Sequence, residues 1–187
     1  MAAMAIDAPT FLPYGRELTR ADLEALPDDG HRYELLDGAL VVTPSPRFRH
    51  QDAVGGLHVV LRNALPSDHM VLVAPFDVVL ASDTVLQPDL LVAPRAAFTE
   101  THLPGPPSLA VEVLSPSTRG IDLLLKKERL ERAGCPHYWV VDPDAPSIVA
   151  WDLVDGTYRE TAGAAGDEHF EVTTPFPVAF SPASLIG

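Results

Sequence analysis

The chain has 187 residues, 47% of them hydrophobic, and a formal net charge of −13 at pH 7. This length and hydrophobic content suffice to bury one sizeable core, so we expect a single domain over residues 1–187. The net charge excludes loose, sequence-blind binding to DNA through an overall basic field, because the molecule as a whole repels a polyanion. Any contact with a nucleic acid must be local.

Cysteine usage and the amino terminus are typical of a soluble cytoplasmic protein. Cys135, the one cysteine, cannot form an internal disulfide, which favours a reducing compartment. The segment from Met1 to Asp7 lacks the basic end and apolar stretch of a signal peptide. Apolar runs also stay short of the roughly 20 residues that a membrane span requires, so we expect no membrane contact.

The first third of the chain predicts a helix, a hairpin and a second helix. Thr19 can cap a short helix that ends near Leu26. Asp37-Gly38 readily adopts the positive φ angles of a two-residue turn, which predicts a β-hairpin. Its strands are expected at 31–36 and 39–43, and apolar residues at helical spacing predict the second helix over 47–65, weakened by Gly55-Gly56.

Strands and one further helix are predicted for the remainder. The strands are expected at 71–80, 85–92, 109–114 and 137–141, the helix from Ser117 or Thr118 through Ala133, and a last hairpin at 148–153 and 157–161. Gly134 is a natural terminator for the helix. The Pro-rich connection over 93–108 is typical of an ordered surface loop. We assign the core of the domain to 28–153 and a C-terminal hairpin and docking tail to 154–187.

Two carboxylates stand within apolar, strand-like runs: Asp89 in Pro88-Asp89-Leu90-Leu91-Val92 and Glu112 in Leu109-Ala110-Val111-Glu112-Val113-Leu114. A charged group among β-formers is costly to bury unless something pairs with it, and a divalent cation held between two such oxygens relieves the cost. The pair therefore predicts a metal site.

The helix after Glu112 supplies a lysine in the right order for phosphodiester chemistry. Asp122 and Lys126 are four residues apart and share one side of that helix, which a short connection could fold back over Glu112. Two carboxylates can hold Mg²⁺, while a lysine orients the attacking water or neutralises the developing charge. Asp89, Glu112 and Lys126 are the predicted catalytic set, although the adjacent Lys127 could serve instead.

Accessory residues are predicted near this set. Glu34 in the first hairpin and His50 in the second helix could add a contact to the metal or to water, and Asp122 is a third candidate. An exposed hairpin glutamate is the plainer interpretation of Glu34. Positive charge clusters locally at Arg47, Arg49 and His50, where it either meets phosphates or forms a solvated face.

Several motifs in one order resemble the Uma-type putative restriction endonuclease family of the PD-(D/E)XK nuclease superfamily. The resemblance covers about residues 33–151. Its motifs are Tyr33-Glu34-Leu35-Leu36-Asp37-Gly38, Pro44-Ser45-Pro46 with His50-Gln51, Pro88-Asp89, Val111-Glu112-Val113-Leu114-Ser115-Pro116, Lys126 and Ala133-Gly134-Cys135-Pro136-His137-Tyr138-Trp139.

The resemblance implies an α/β (α+β) restriction endonuclease-like core, in which a mixed sheet is flanked by helices and the acidic residues lie on adjacent strands. Asp89 would be the aspartate of the "PD" motif and Glu112 the "(D/E)" residue. Leu114 stands where the simplest superfamily pattern has lysine. In this family the lysine lies instead on the following helix, and Lys126 occupies the matching position. Leu130 and His137 depart from the tyrosine and glutamate that the family often has.

We therefore expect an endonuclease that uses Mg²⁺, with Mn²⁺ as a possible substitute, to hydrolyse DNA. The alternative is a catalytically inactive relative of the same fold that binds a nucleic acid or a protein partner. A homodimer is a further expectation, because one active site cuts one strand and a two-fold pair addresses a duplex. Whether the substrate is DNA or RNA, and whether one metal ion or two bind, stay open.

Overall fold

The computed structural model describes residues 15–27, 29–116 and 119–187, which fold into a mixed α and β structure. The strands are β1 Arg32–Leu36, β2 Ala39–Thr43, β3 His69–Val73, β4 Asp77–Ala81, β5 Thr84–Leu86, β6 Leu90–Pro94, β7 His102–Pro104, β8 Leu109–Val113, β9 His137–Asp142, β10 Ser147–Val154, β11 Thr157–Ala165, β12 Phe170–Val172 and β13 Val178–Phe180. The helices are α1 Arg20–Glu24, α2 Phe48–Ala64 and α3 Lys127–Ala133, and a π-helical turn, Ile121–Lys126, leads directly into α3.

The larger strands form two mixed sheets. The central sheet has six strands in the order β11-β10-β9-β8-β6-β3, and the second sheet has five in the order β2-β1-β5-β4-β7. Strands β8 and β9 pair in parallel, as do β4 and β7, whereas the other pairs are antiparallel. The predicted mixed sheet flanked by helices, with hairpins near both ends, is confirmed.

Turn chemistry sets the hairpins as predicted. Asp37 and Gly38 both have positive φ angles, of 48° and 76°, and Asp155 and Gly156 repeat the pattern at 51° and 76°. Such angles let a two-residue turn follow the right-handed twist of its strands. Gly134, at φ 81°, ends α3 in the left-handed conformation.

The predictions of single strands over 71–80 and 85–92 are wrong, because each run is broken in the middle. Pro75 interrupts the first run, and Pro88 the second; proline lacks the N–H that a ladder needs. The backbone N–H of Ala74 donates to the carbonyl of Asp89 at 3.0 Å, which ties the two breaks together. The resulting long hairpin changes sheets at the breaks, with β3 and β6 in the central sheet and β4 and β5 in the second.

The connection over 93–108, predicted to be an ordered surface loop, also contains regular secondary structure. It contains a 3₁₀ turn, Arg95–Ala97, and the short strand β7, which extends the second sheet by pairing with β4. The predicted capping residues of the following helix, Ser117 and Thr118, lie outside the described residues. Before α3 the chain adopts a π-helical rather than an α-helical turn.

Apolar side chains cover both faces of the central sheet. One face packs against α2 and the C-terminal segment through a large cluster that includes Leu57, Leu61, Val111, Trp139, Phe170, Phe180 and Leu185. The opposite face packs against α3 and part of the second sheet through Leu86, Ala110, Leu130 and Tyr138. Among the described residues, no helix is long and apolar enough to cross a membrane.

Candidate active site

A cleft of about 620 Å³ opens where the two sheets and α2 meet. Eight side chains that carry charge or can titrate line it: His31, Arg32, Arg47, His50, Asp89, Glu112, Asp122 and Lys126. Five of these eight are predicted site residues, and the structure brings them together from β8, α2, the π-helical turn and the break before β6.

Asp89 lies at the break between β5 and β6, outside both strands, and it is almost fully buried. Its Oδ2 accepts the N–H of Val113 at 2.9 Å and lies 3.1 Å from Nε2 of His50, and its Oδ1 accepts from Arg32 at 2.9 Å. Burial alone would raise the pKa of Asp89. The hydrogen bond to His50 and the charge of Arg32 outweigh burial and hold this pKa well below its usual range.

Glu112 lies on β8, and only 1% of the residue is exposed. Strands β6 and β8 are paired with Leu90 opposite Val111, which sets Asp89 beside Glu112. The N–H of Asp89 points to Oε2 of Glu112 at 3.4 Å. The predicted metal pair therefore meets at one end of the cleft.

Electrostatics around Glu112 show an excess of negative charge. Burial raises the pKa of Glu112 well above its ordinary value, and the charges of Asp122, Asp89 and Glu34 push in the same direction. The ammonium of Lys126 lowers this pKa but does not compensate for the rest.

Lys126 is held at the centre of three carboxylates. Its Nζ lies 2.9 Å from Glu34, 3.1 Å from Glu112 and 3.6 Å from Asp122. Burial lowers the pKa of Lys126, but the charges of Glu112 and Glu34 outweigh it, so the pKa lies above its ordinary value and the side chain is cationic.

Lys127 points to a different surface. Its Nζ lies 3.9 Å from the centre of the Trp151 ring, in a cation–π contact. Of the two adjacent lysines, Lys126 is therefore the one that reaches the carboxylates.

The accessory candidates also converge on this site. Glu34 is buried rather than exposed, and its Oε1 accepts the backbone N–H of Gln87 at 2.7 Å as well as pairing with Lys126. Asp122 is buried, and the hydroxyl of Tyr138 donates to its backbone carbonyl at 2.7 Å. The interpretation of Glu34 as an exposed hairpin glutamate is wrong, because Gln87 and Lys126 cover it.

Arg32 is a site residue that the sequence analysis did not single out. Its side chain is 21% exposed, and its terminal nitrogens lie 2.9 Å from Oδ1 of Asp89 and 3.9 Å from Oε2 of Glu34. Side chains two apart on a strand share a face, so Arg32 and Glu34 point the same way from β1. In the sequence, the one signal of Arg32 was its position two residues before Glu34 in the same predicted strand.

Four buried carboxylates therefore share the site with two permanently cationic side chains. The carboxylates are Glu34, Asp89, Glu112 and Asp122, and the cations are Arg32 and Lys126. Counted as fully ionised, and with His50 left out of the count, the four carboxylates outnumber the two cations by two, and this repulsion adds to burial in raising the pKa of Glu112. Such an excess is costly inside a protein and favours the binding of a divalent cation.

The residues present fit a magnesium ion held through few protein ligands. Within the described residues, no group of three or more histidine, cysteine, aspartate or glutamate side chains is arranged to hold a metal. Mg²⁺, however, usually keeps several waters and takes only one or two carboxylates together with phosphate oxygens of its substrate. Asp89 and Glu112 supply that number of carboxylates, and the charge excess is of the matching sign.

The first turn of α2 borders the cleft and is cationic and apolar. Arg47, which lines the cleft, Phe48 and Arg49 are exposed there, and we call these three residues the rim. Phe48 is 78% exposed, which is unusual for a large apolar side chain. The first turn of α2 carries no acidic residue and no side-chain cap, so its backbone N–H groups add to the positive potential.

A mixed sheet flanked by helices, with acidic side chains of neighbouring segments meeting in a cleft, defines the restriction endonuclease-like class of folds. The chain belongs to the Uma2 family, described as "Putative restriction endonuclease", whose model matches residues 20–185. The resemblance noted in the sequence is thereby confirmed.

A solved structure shares this fold. The chain is similar to the crystal structure of a "putative nuclease belonging to DUF820" from Anabaena variabilis, with a TM-score of 0.70 and 15% sequence identity over 90% of this chain and 97% of that one. At this identity the likeness shows the fold alone. No curated protein matches the chain.

Proposed function

We propose that this protein is a Mg²⁺-dependent endonuclease that hydrolyses phosphodiester bonds of DNA, with Mn²⁺ as a possible substitute. Asp89 and Glu112 are the proposed metal ligands, and Lys126 is the third catalytic residue. The proposal rests on the convergence of Asp89, Glu112 and Lys126. The N–H of Val113 donates to Asp89 at 2.9 Å, the N–H of Asp89 points to Glu112 at 3.4 Å, and Nζ of Lys126 lies 3.1 Å from Glu112.

The side chains of the site have separate tasks in this reaction. When bound, Mg²⁺ would polarise the phosphate and lower the pKa of a water. Lys126, which three carboxylates hold in place, orients that water or offsets the charge that develops on the phosphate oxygens. Asp122 and Glu34 keep Lys126 cationic and fix its position, and His50 fixes the carboxylate of Asp89.

The rim gives this acidic protein a local contact for a nucleic-acid strand. The net charge of −13 repels a polyanion, so attraction must come from a restricted cationic surface. Arg47 and Arg49 would bind phosphates, and Phe48 would stack on a base that enters the cleft unpaired. The rim lies on α2 beside His50, so a strand bound there would pass next to Asp89.

Cleavage of DNA by purified protein tests the proposal. Supercoiled plasmid, linear duplex and single-stranded DNA are incubated with Mg²⁺, Mn²⁺ or EDTA. We expect metal-dependent cleavage that falls at least a hundredfold in Asp89→Asn and Glu112→Gln, since each removes a ligand charge. Glu128→Gln, an exposed carboxylate of α3, serves as the matched control and should cleave as the unaltered protein does.

The binding-module alternative makes the opposite prediction. A folded protein that cleaves no DNA with either metal, and that Mg²⁺ does not stabilise against heat, would favour a module without catalysis. Cleavage that is unchanged in Asp89→Asn would refute the site. The homodimer and the cytoplasmic location stay predictions; sedimentation velocity at working concentration would test the first.

A further inference from the structure

Arg32 differs from Lys126 in how firmly the site holds it. Lys126 contacts three carboxylates and only 5% of its side chain is exposed. Within the part of the chain that the structure describes, Arg32 has one close contact, to Asp89, and its side chain is 21% exposed. The second carboxylate near Arg32, that of Glu34, is 3.9 Å away. Arg32 is therefore the site cation that can leave its position at lower cost.

The hydrogen-bonding capacity of the guanidinium is only partly used. Nε of Arg32 is buried and has no hydrogen-bond partner among the described residues. Guanidinium groups present donors in a planar fork that matches a carboxylate or a phosphate. Since Arg32 also lines the cleft, a substrate phosphate entering there would offer acceptors for its unused donors.

Asp89 depends on Arg32 for the partner of one of its two oxygens. Oδ2 is held by Val113 and His50, whereas the contact of Oδ1 is with Arg32 at 2.9 Å. A cation that binds Oδ1 must share it with the guanidinium or replace the guanidinium. Arg32 and a metal therefore compete for the same carboxylate charge.

We propose that Arg32 holds Asp89 in place of the divalent cation and becomes a phosphate-binding residue when that cation is bound. The inference rests on the proposed function and adds to it a substrate-binding residue. Once a metal ion neutralises the carboxylates, the guanidinium interacts more favourably with a phosphodiester, which brings a new negative charge into the cleft.

Two measurements of opposite sign test this exchange. The affinity of the protein for Mn²⁺ alone is measured from the free-ion signal in electron paramagnetic resonance, and the affinity for a labelled duplex is measured by anisotropy in Ca²⁺. We expect Arg32→Met to bind Mn²⁺ roughly fivefold or more tightly than the unaltered protein, because its competitor is gone. The same variant should bind DNA about tenfold more weakly in Ca²⁺.

Arg32→Lys and Arg62→Met complete the series. Arg32→Lys keeps the charge but loses the fork, so it should lie between Arg32→Met and the unaltered protein in both measurements. Arg62, exposed at the far end of α2, controls for the loss of one positive charge and should change neither affinity. Circular dichroism confirms that each variant is folded, and Arg32→Lys carries the test if Arg32→Met is not.

A merely structural role for Arg32 would weaken both affinities together. An Arg32 variant that binds Mn²⁺ no more tightly, or DNA no more weakly, than the unaltered protein overturns the exchange. Asp89→Asn separates this outcome from a failure of the proposed function. If Asp89→Asn loses Mn²⁺ while the Arg32 variants are unchanged, only the exchange is wrong; if Asp89→Asn binds Mn²⁺ fully, the metal site itself is wrong.

Discussion

Lys126 and Glu34 form a buried ion pair of 2.9 Å that joins the two sheets. Lys126 follows β8 of the central sheet through the π-helical turn, and Glu34 belongs to β1 of the second sheet. The ion pair thus links the central sheet, which carries Glu112, to the second sheet, which carries Arg32. Its loss should affect the whole fold as well as the chemistry.

Lys126→Met should lower the free energy of unfolding by about 3–5 kcal/mol, because it leaves three buried carboxylates without their shared counter-charge. Lys127→Met is the matched control and should cost no more than about 1 kcal/mol, the value of a cation–π contact. Urea unfolding followed by circular dichroism measures both. Equal losses in the two variants would contradict the central position of Lys126.

The two adjacent glycines of α2 should respond to alanine with opposite signs. A Cβ on Gly56 would meet the carbonyl oxygen of Leu185 at 2.7 Å, so Gly56→Ala should destabilise the protein by about 1–3 kcal/mol. Gly55 is exposed with nothing within 4 Å of a Cβ, and Gly55→Ala should stabilise α2 by up to about 1 kcal/mol.

Thermal unfolding followed by calorimetry checks this pair. The midpoint should fall in Gly56→Ala and rise in Gly55→Ala. Two variants with the same midpoint would mean that the turn around Leu185 does not pack closely on α2.

Phe48→Ala should weaken binding of single-stranded DNA by about 1–3 kcal/mol, the range for stacking of one base on an aromatic ring. Val59→Ala, which truncates another exposed apolar side chain of α2, is the control and should leave binding unchanged. Anisotropy of a labelled oligonucleotide in Ca²⁺ measures both affinities. A similar change in the two variants would remove Phe48 from the proposed strand contact.

The thiol of Cys135 should be unreactive in the folded protein. Burial raises its pKa to about 11, so at pH 8 the thiol stays protonated and the nucleophilic thiolate is scarce. Ellman's reagent should label the protein at pH 8 only after unfolding in urea. Rapid stoichiometric labelling of the native protein at pH 8 would show that the thiol is accessible.

Local chemistry made much of the fold predictable. Asp37-Gly38 and Asp155-Gly156 determine their turns by backbone angles alone, and Gly134 ends α3 for the same reason. The long helix was readable from its apolar spacing. Which of its glycines packs against another segment was not, because Leu185 is distant in sequence and its contact depends on the tertiary fold.

Tertiary packing determines the features that the sequence left open. Pro75 and Pro88 each stand within an apolar run, and whether such a run bends or continues depends on the sheet to which each half pairs. The predicted set of Asp89, Glu112 and Lys126 comes together in the structure, while its roles stay predictions. Arg32 escaped attention because its significance lies in a partner, Asp89, from another element of the chain.

The break at Pro88 has a mechanical consequence. Asp89 sits where the chain passes from one layer to the other, anchored to the six-stranded layer through Val113 and to the five-stranded one through Arg32. If either sheet slid or tilted, one of these two contacts of Asp89 would lengthen. The contacts of Asp89 therefore depend on the relative position of the two sheets, and either sheet alone would supply only one of the two.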